Sequence, residues 1–233
     1  MAEAAQKTSW LATRVEKALR GGLNRAYETV KVDADDYLLH LRVAHDLPVQ
    51  TYEGMFSVPI EHLDDIAEQT IRAGMKLAAA EGAGFGLGGF LTLVPDLSLL
   101  SIITMRTIQK LSLVYGFRYN TDEEMADLWI AAASAAGVDI SRELLERGVL
   151  NRFVPKVIQR IASRASVEVA EKWAGRIIPV ASSVLGAGLN YYFVRAWAER
   201  AASHFRQKHL DRRAKYELSG GAPILEAERG LTE

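Results

Sequence analysis

Five polar residues stand in the most apolar stretches of this chain: Glu81, Asp96, Arg106, Lys110 and Asn190. A buried charge without a partner is expensive, so such groups are expected to find one another. Two chemistries follow. If they converge on a closed pocket, Glu81 or Asp96 beside Arg106 would have a shifted pKa and could do acid–base work in a hydrolase. If they pair as a buried network, they fix helix register and catalyse nothing. The second reading is favoured, because structural networks perturb pKa values in the same way. Asn190, one turn after Gly186, most simply bonds carbonyls exposed at a close helix contact.

Other catalytic and metal constellations are missing from the sequence. There is no G-x-S-x-G, and the pairs His40/His45 and His204/His209 are five residues apart, on different helix faces. The acidic stripe from Glu61 to Glu68 includes His62 but contains none of the Glu-x-x-His pairs that di-metal bundles need, and it reads as a solvated face. The absence of cysteine excludes disulfides, thiol catalysis and Cys-ligated zinc. No cofactor or metal is expected. A formal net charge of −1 gives no global field toward nucleic acid. Lys156, Arg160 and Arg164 are followed by Glu168 and Glu171, so that basic strip is ordinary surface too.

Helices must position all of these residues. Hydrophobic spacing of three and four dominates, no alternating strand stands out, and 49% apolar against 24% charged residues suits a globular core. A first amphipathic helix carries Leu11, Val15 and Ala18/Leu19 and is expected to stop at Gly21-Gly22. A shorter helix opens on the acidic run beginning at Asp33. A long helix from Pro59 places Ile60, Leu63, Ala67, Thr70, Gly74, Leu77 and Glu81 on one stripe. Another starts at Pro95, is apolar nearly all round to Tyr115-Gly116, and keeps only Arg106, Gln109 and Lys110 on a polar strip; such a helix is central to a core or touches lipid. Thr121 to Glu124 is a capping box, and Gly137 closes that helix. Helices near 141–148 and over 151–175 follow. The last begins at Pro179, with a packed seam of Val180, Val184, Ala187, Tyr191, Val194, Ala198, Ala201 and Phe205. The expected architecture is an all-α, single-domain, multi-helix bundle with no sheet: an N-terminal helical arm over 1–22, a domain over 23–217 and a disordered tail over 218–233.

The stretch from Ala80 to Arg106 raises two further readings. Gly84, Gly86 and Gly89 satisfy G-x-G-x-x-G, but a helical pattern precedes them, and no carboxylate occurs between Asp96 and Asp122 to meet a ribose. Nucleotide binding is excluded. The runs Gly82–Pro95 and Ile177–Val194 are uncharged over fourteen and eighteen residues, short of the ~20 that a membrane-spanning helix needs. Core packing or shallow insertion is therefore expected over spanning. Gly82/Gly86 and Gly84/Gly88 have the G-x-x-x-G spacing that lets helices approach closely, and Gly186 belongs with them.

Thr104-Met105-Arg106-Thr107-Ile108, together with Ile178-Pro179, Gly186, Asn190, Phe193, His204-Phe205 and Arg212-Arg213, resembles the EcsC protein family over about residues 59–216. One departure is Pro95-Asp96-Leu97, where the match is looser. The resemblance implies a bacterial helical protein, associated by name with an ABC-transporter gene cluster and without an established biochemical activity.

The sequence places such a protein in the cytoplasm, peripheral at the inner membrane. Its first residues lack the apolar core of a secretory signal. Trp10 and Leu11 are mixed with Lys7, Arg14, Lys17 and Arg20, the composition of an interfacial helix. Arg206, Lys208, Arg212 and Arg213 leave the last helix as a second basic group suited to anionic headgroups. The expected function is non-enzymatic: binding of lipid, an apolar ligand or a membrane protein partner. A hydrolase built on Glu81, Asp96 and Arg106, or a structural subunit of a larger assembly, is the alternative.

Overall fold

The computed structural model describes the backbone of residues 2–29, 31–85, 93–140, 150–174 and 183–218, and the side chains of 12–29, 31–80, 97–140, 153–167, 191 and 193–215. Among the described residues all regular structure is helical. The helices are α1 (Ala2–Thr29), α2 (Ala34–His45), α3 (Ile60–Phe85), α4 (Leu93–Val114), α5 (Asp122–Ala135), α6 (Leu150–Ala174) and α7 (Ser183–Leu218), with a 3-10 segment at Glu53–Ser57.

Local chemistry sets several of these ends. The Asp33 carboxylate accepts from the N–H groups of Asp35 and Asp36 at 2.9 and 3.0 Å, which starts α2. Thr121 and Glu124 form the expected capping box of α5, each side chain accepting from the other's backbone N–H. Gly137 takes φ +71°, and Val138 N–H bonds back to Ala133 O at 2.9 Å, closing the helix. Gly116 does the same for α4 at φ +85°, with Phe117 N–H on Ser112 O at 2.9 Å.

Helix α4 is the axle of the bundle and touches α1, α2, α3, α5 and α7. Leu97–Val114 is long and apolar enough to cross a membrane, with mean hydropathy 1.3, but 72% of it is covered by its neighbours. Its surroundings make it a core helix. The hydroxyls of Ser101, Thr104 and Thr107 each donate to the carbonyl one turn back, at 2.8, 2.8 and 2.9 Å, so none is buried unpaired. Gln109, expected on a polar strip, is buried and accepts the Val32 N–H at 3.1 Å.

Three expectations change. First, α1 does not stop at Gly21-Gly22; it continues to Thr29 and buries Val15, Ala18, Leu19, Leu23 and Ala26 in the common core. Gly22 sits on α4: a Cβ there would lie 2.8 Å from both Ser98 Cα and Ser101 Cβ and would also overlap the Ser98 carbonyl oxygen. Gly22 is a close helix contact and not a terminator. Second, Leu77 of the α3 stripe is 49% exposed, and Tyr191 of the α7 seam is 42% exposed. Both belong to exact heptads, and a straight α-helix drifts ~20° per heptad, so such stripes rotate into solvent. The buried face of α3 is instead Leu63, Ile66, Ala67, Ile71, Met75 and Ala78, with Gly74 fitted against Thr107. Third, α4 begins at Leu93, which puts Pro95 in its first turn, where its missing N–H has no partner to lose.

Candidate functional site

Side-chain pairs fix the directions of the helices. Gly74 against Thr107 and Asp64 against Tyr115 make α3 and α4 antiparallel. Gly22 beside Ser98, and Val32 beside Gln109, make α1 parallel to α4. Asp127 with Lys208, and Ala135 O with Arg200, make α5 antiparallel to α7. Asp64 with Arg206 joins α3 to α7, and Glu68 acts on Arg195 further up, so these two also run antiparallel. The end of α3 and the starts of α1, α4 and α7 therefore share one end of the bundle, here the glycine end. The last turn of α4 and residues 205–213 of α7 share the other, the aromatic end.

The aromatic end is dense in ring contacts and ion pairs. His209 is fully buried, stacks on Phe56 at 4.8 Å between ring centres, and places Nδ1 3.0 Å from the Tyr115 carbonyl oxygen. Phe117 meets Phe56 edge-on at 5.6 Å and lies 6.1 Å from Phe205. Tyr115 donates to Asp64 Oδ1 at 2.9 Å, and burial with that carboxylate pushes its hydroxyl pKa well up. Arg206 Nε bonds both oxygens of Asp64, at 3.1 and 2.9 Å. Lys208 pairs with Asp127 and lies 4.6 Å over the Phe117 ring, while Arg212 covers Phe56 at 4.7 Å. Of the four basic residues that the sequence assigns to a membrane here, three are thus engaged by carboxylates or ring faces of the same molecule. Arg213 is half-buried.

At the glycine end the surface differs. Lys17 and Arg20 are exposed on α1, opposite its buried face, and Arg14 is exposed one turn earlier. Leu77 and Tyr191 stand on the neighbouring helices α3 and α7, each roughly two turns from the helix end, with exposed Ala73 and Ala80 flanking Leu77 on α3. Between Leu77 and Pro95 the sequence carries one charge, Glu81, and between Ile177 and Tyr191 it carries none.

The expected polar cluster is only partly placed. Arg106 is exposed, which departs from the buried position expected of it, because the outer side of α4 is left open there. Lys110, one turn on, is half-buried with Nζ 5.5 Å over the Tyr37 ring. Burial first, and the like charge of Arg106 second, lower its pKa. The side chains of Glu81, Asp96, Asn190 and Trp10 lie outside the described residues, as do Gly86 and Gly88. Gly82 and Gly84 fall within α3, and Gly186 within α7.

A half-open cleft of about 420 Å³ between Lys31–Ala34 and Tyr119–Met125 contains none of these residues. Three of its polar side chains have structural duties: Asp33 and Thr121 cap helices, and the Tyr119 hydroxyl donates to Val32 O at 2.6 Å. Among the described residues no group of three or more His, Asp or Glu could hold a metal ion.

The sequence model of the EcsC protein family matches residues 5–210. That span takes in nearly all of α1, beyond the 59–216 of the sequence resemblance. Among curated proteins, Protein EcsC of Bacillus subtilis (strain 168) is 24% identical over 203 residues, covering 84% of this chain and 85% of that protein. Uncharacterized protein YdbA of the same organism is 23% identical over 182 residues, covering 72% and 67%. No solved structure matches.

Proposed function

From the premise that the chain belongs to the EcsC protein family, we propose that it is a non-enzymatic helical protein of the cytoplasmic membrane surface, with the glycine end as its lipid-facing side. One observation carries this. Exposed Leu77 and Tyr191 stand on the neighbouring helices α3 and α7 toward the end where the sequence is poorest in charge, and exposed Lys17 and Arg20 lie on α1 beside the start of α4 at the same end.

Magnitudes favour reversible docking over permanent insertion. Burying a large apolar side chain gains about 1.5–3 kcal/mol, and a basic residue near anionic headgroups about 1 kcal/mol. Two of the first and two of the second give roughly 5–8 kcal/mol before ordering losses, the range of weak micromolar or poorer binding. A membrane protein beside that surface, an ABC transporter by the family's associations, is the protein partner that fits this placement.

The test is flotation of the full chain with anionic and with neutral vesicles at low and at high salt. Co-flotation with anionic vesicles that weakens as salt rises is expected. The double variant Leu77→Glu/Tyr191→Glu should lose most of it. Unchanged flotation of that folded variant, or no flotation of the parent under any condition, overturns the proposal.

A further inference from the structure

His209 has an unusual position for a titratable group. Its side chain is wholly buried between α7, the end of α4 and the 53–57 segment. The Tyr115 carbonyl can only accept, so Nδ1 carries the proton and Nε2 is left with its lone pair. Nε2 has no hydrogen-bond partner. The other buried side-chain polar atom without a partner among the described residues is Ser57 Oγ, on the same 3-10 segment. One deficit is thus on α7 and the other on the 53–57 segment that packs against it.

That contact is held by ring stacking. Phe56 packs on the His209 ring at 4.8 Å, and the Arg212 guanidinium lies 4.7 Å from its ring centre. The charged groups that reach His209 are mixed in sign and mostly positive. Arg206 and Arg213 on its own helix oppose a positive charge, while Asp64 on α3 favours one but is occupied by Arg206 and the Tyr115 hydroxyl. From α4 comes the Tyr115 carbonyl, already bonded to Nδ1. The 53–57 segment meets His209 with the Phe56 ring, and its one carboxylate, Glu53, is exposed. A proton on Nε2 would create a buried N–H with no acceptor, beside two arginines.

We propose that His209 is an acid-sensitive latch: uptake of a proton at Nε2 releases the 53–57 segment from α7 and opens the Phe56, Phe117 and Phe205 rings to solvent. Consistent with that geometry, burial foremost holds the His209 pKa below its ordinary 6.5. The sign follows from linkage. A group whose folded pKa lies below its unfolded one binds more protons when released, so the latch is fully closed above about pH 6.5 and weakens as pH falls toward the folded value. Within that window the open population grows with falling pH, by at most about tenfold per unit for one proton.

The experiment is hydrogen exchange of the full-length protein at pH 7, 6 and 5, corrected for intrinsic rates, together with nitrogen-detected titration of the histidine rings. Protection of the amides of residues 54–58 should fall progressively below pH 6.5, by up to about tenfold per unit. The Nδ1–H tautomer of His209 should persist to the lowest pH at which the segment stays closed. His209→Phe, which keeps a stacking ring, should remove the pH dependence, and His204→Gln should retain it. Three results would each overturn the latch: titration of His209 at or above 6.5, protection of 54–58 that does not change with pH, or a pH dependence that survives in His209→Phe. If His209→Phe does not fold, the ring titration of the parent protein decides alone.

Discussion

The two flanks of α4 are built by opposite means. Against α1 it packs with small residues: Gly22 and Ala18 press on Ser98 and Ser101, and Ser98 Oγ bonds Ala18 O at 3.1 Å. Against α7 and the first turns of α3 it packs with rings and ion pairs, Tyr115 and Phe117 meeting His209, Phe205 and the Asp64–Arg206 bridge. The first flank tolerates no added atom, and the second tolerates no lost one. The same contrast separates two basic groups that look alike in the sequence. The α7 group is mostly turned inward onto carboxylates and ring faces, whereas Lys17 and Arg20 of α1 point to solvent.

Substitutions sharpen the comparison in descending order. Phe205→Ala on the ring flank removes a side chain that is 1% exposed, and should destabilise by about 3–5 kcal/mol in denaturant melts. Gly22→Ala on the small-residue flank should lose about 1–3 kcal/mol, because backbone and not a flexible side chain blocks the new methyl. Its neighbour Gly21→Ala has nothing within 4 Å and should gain roughly 0.5–1 kcal/mol from helix propensity. A loss at position 21 or no loss at position 22 would break the account of α1. A modest stability effect is expected from Arg206→Gln with Lys208→Gln: both pairs are partly exposed, so each contributes up to about 1 kcal/mol. That variant should melt earlier yet float with anionic vesicles as the parent does, while Lys17→Glu with Arg20→Glu should melt normally and float less. A reversed pattern would put the membrane face at the aromatic end.

Much of the fold is legible from the residues alone, because its signals are local. The Thr121 capping box, the Gly137 and Gly116 closures and the all-round apolarity of α4 need only a few neighbouring positions to be read. What escapes depends on long-range contact. A glycine pair reads as a stop, and only the presence of Ser98 shows that Gly22 serves close approach. Leu77 and Tyr191 fit exact heptads and are misplaced because the helices are straight. The Asp64–Arg206 and Asp127–Lys208 pairs join residues 142 and 81 positions apart, so no spacing rule finds them. His209 offers no signal at all: a histidine five residues from another is unremarkable until its pocket is seen.

The hydroxyls of α4 have one more consequence. Ser101, Thr104 and Thr107 all spend their protons on their own helix, so to α1 and α3 they present carbon and lone pairs, and hydrogen bonding from them sets no register between helices. Shape has to do it. The notch at Gly22 receives Ser98 and Ser101, and the notch at Gly74 receives the Thr107 side chain. These two detents, cut into opposite neighbours about six to nine residues apart along one rod, lock α4 against sliding as a key is held by its wards.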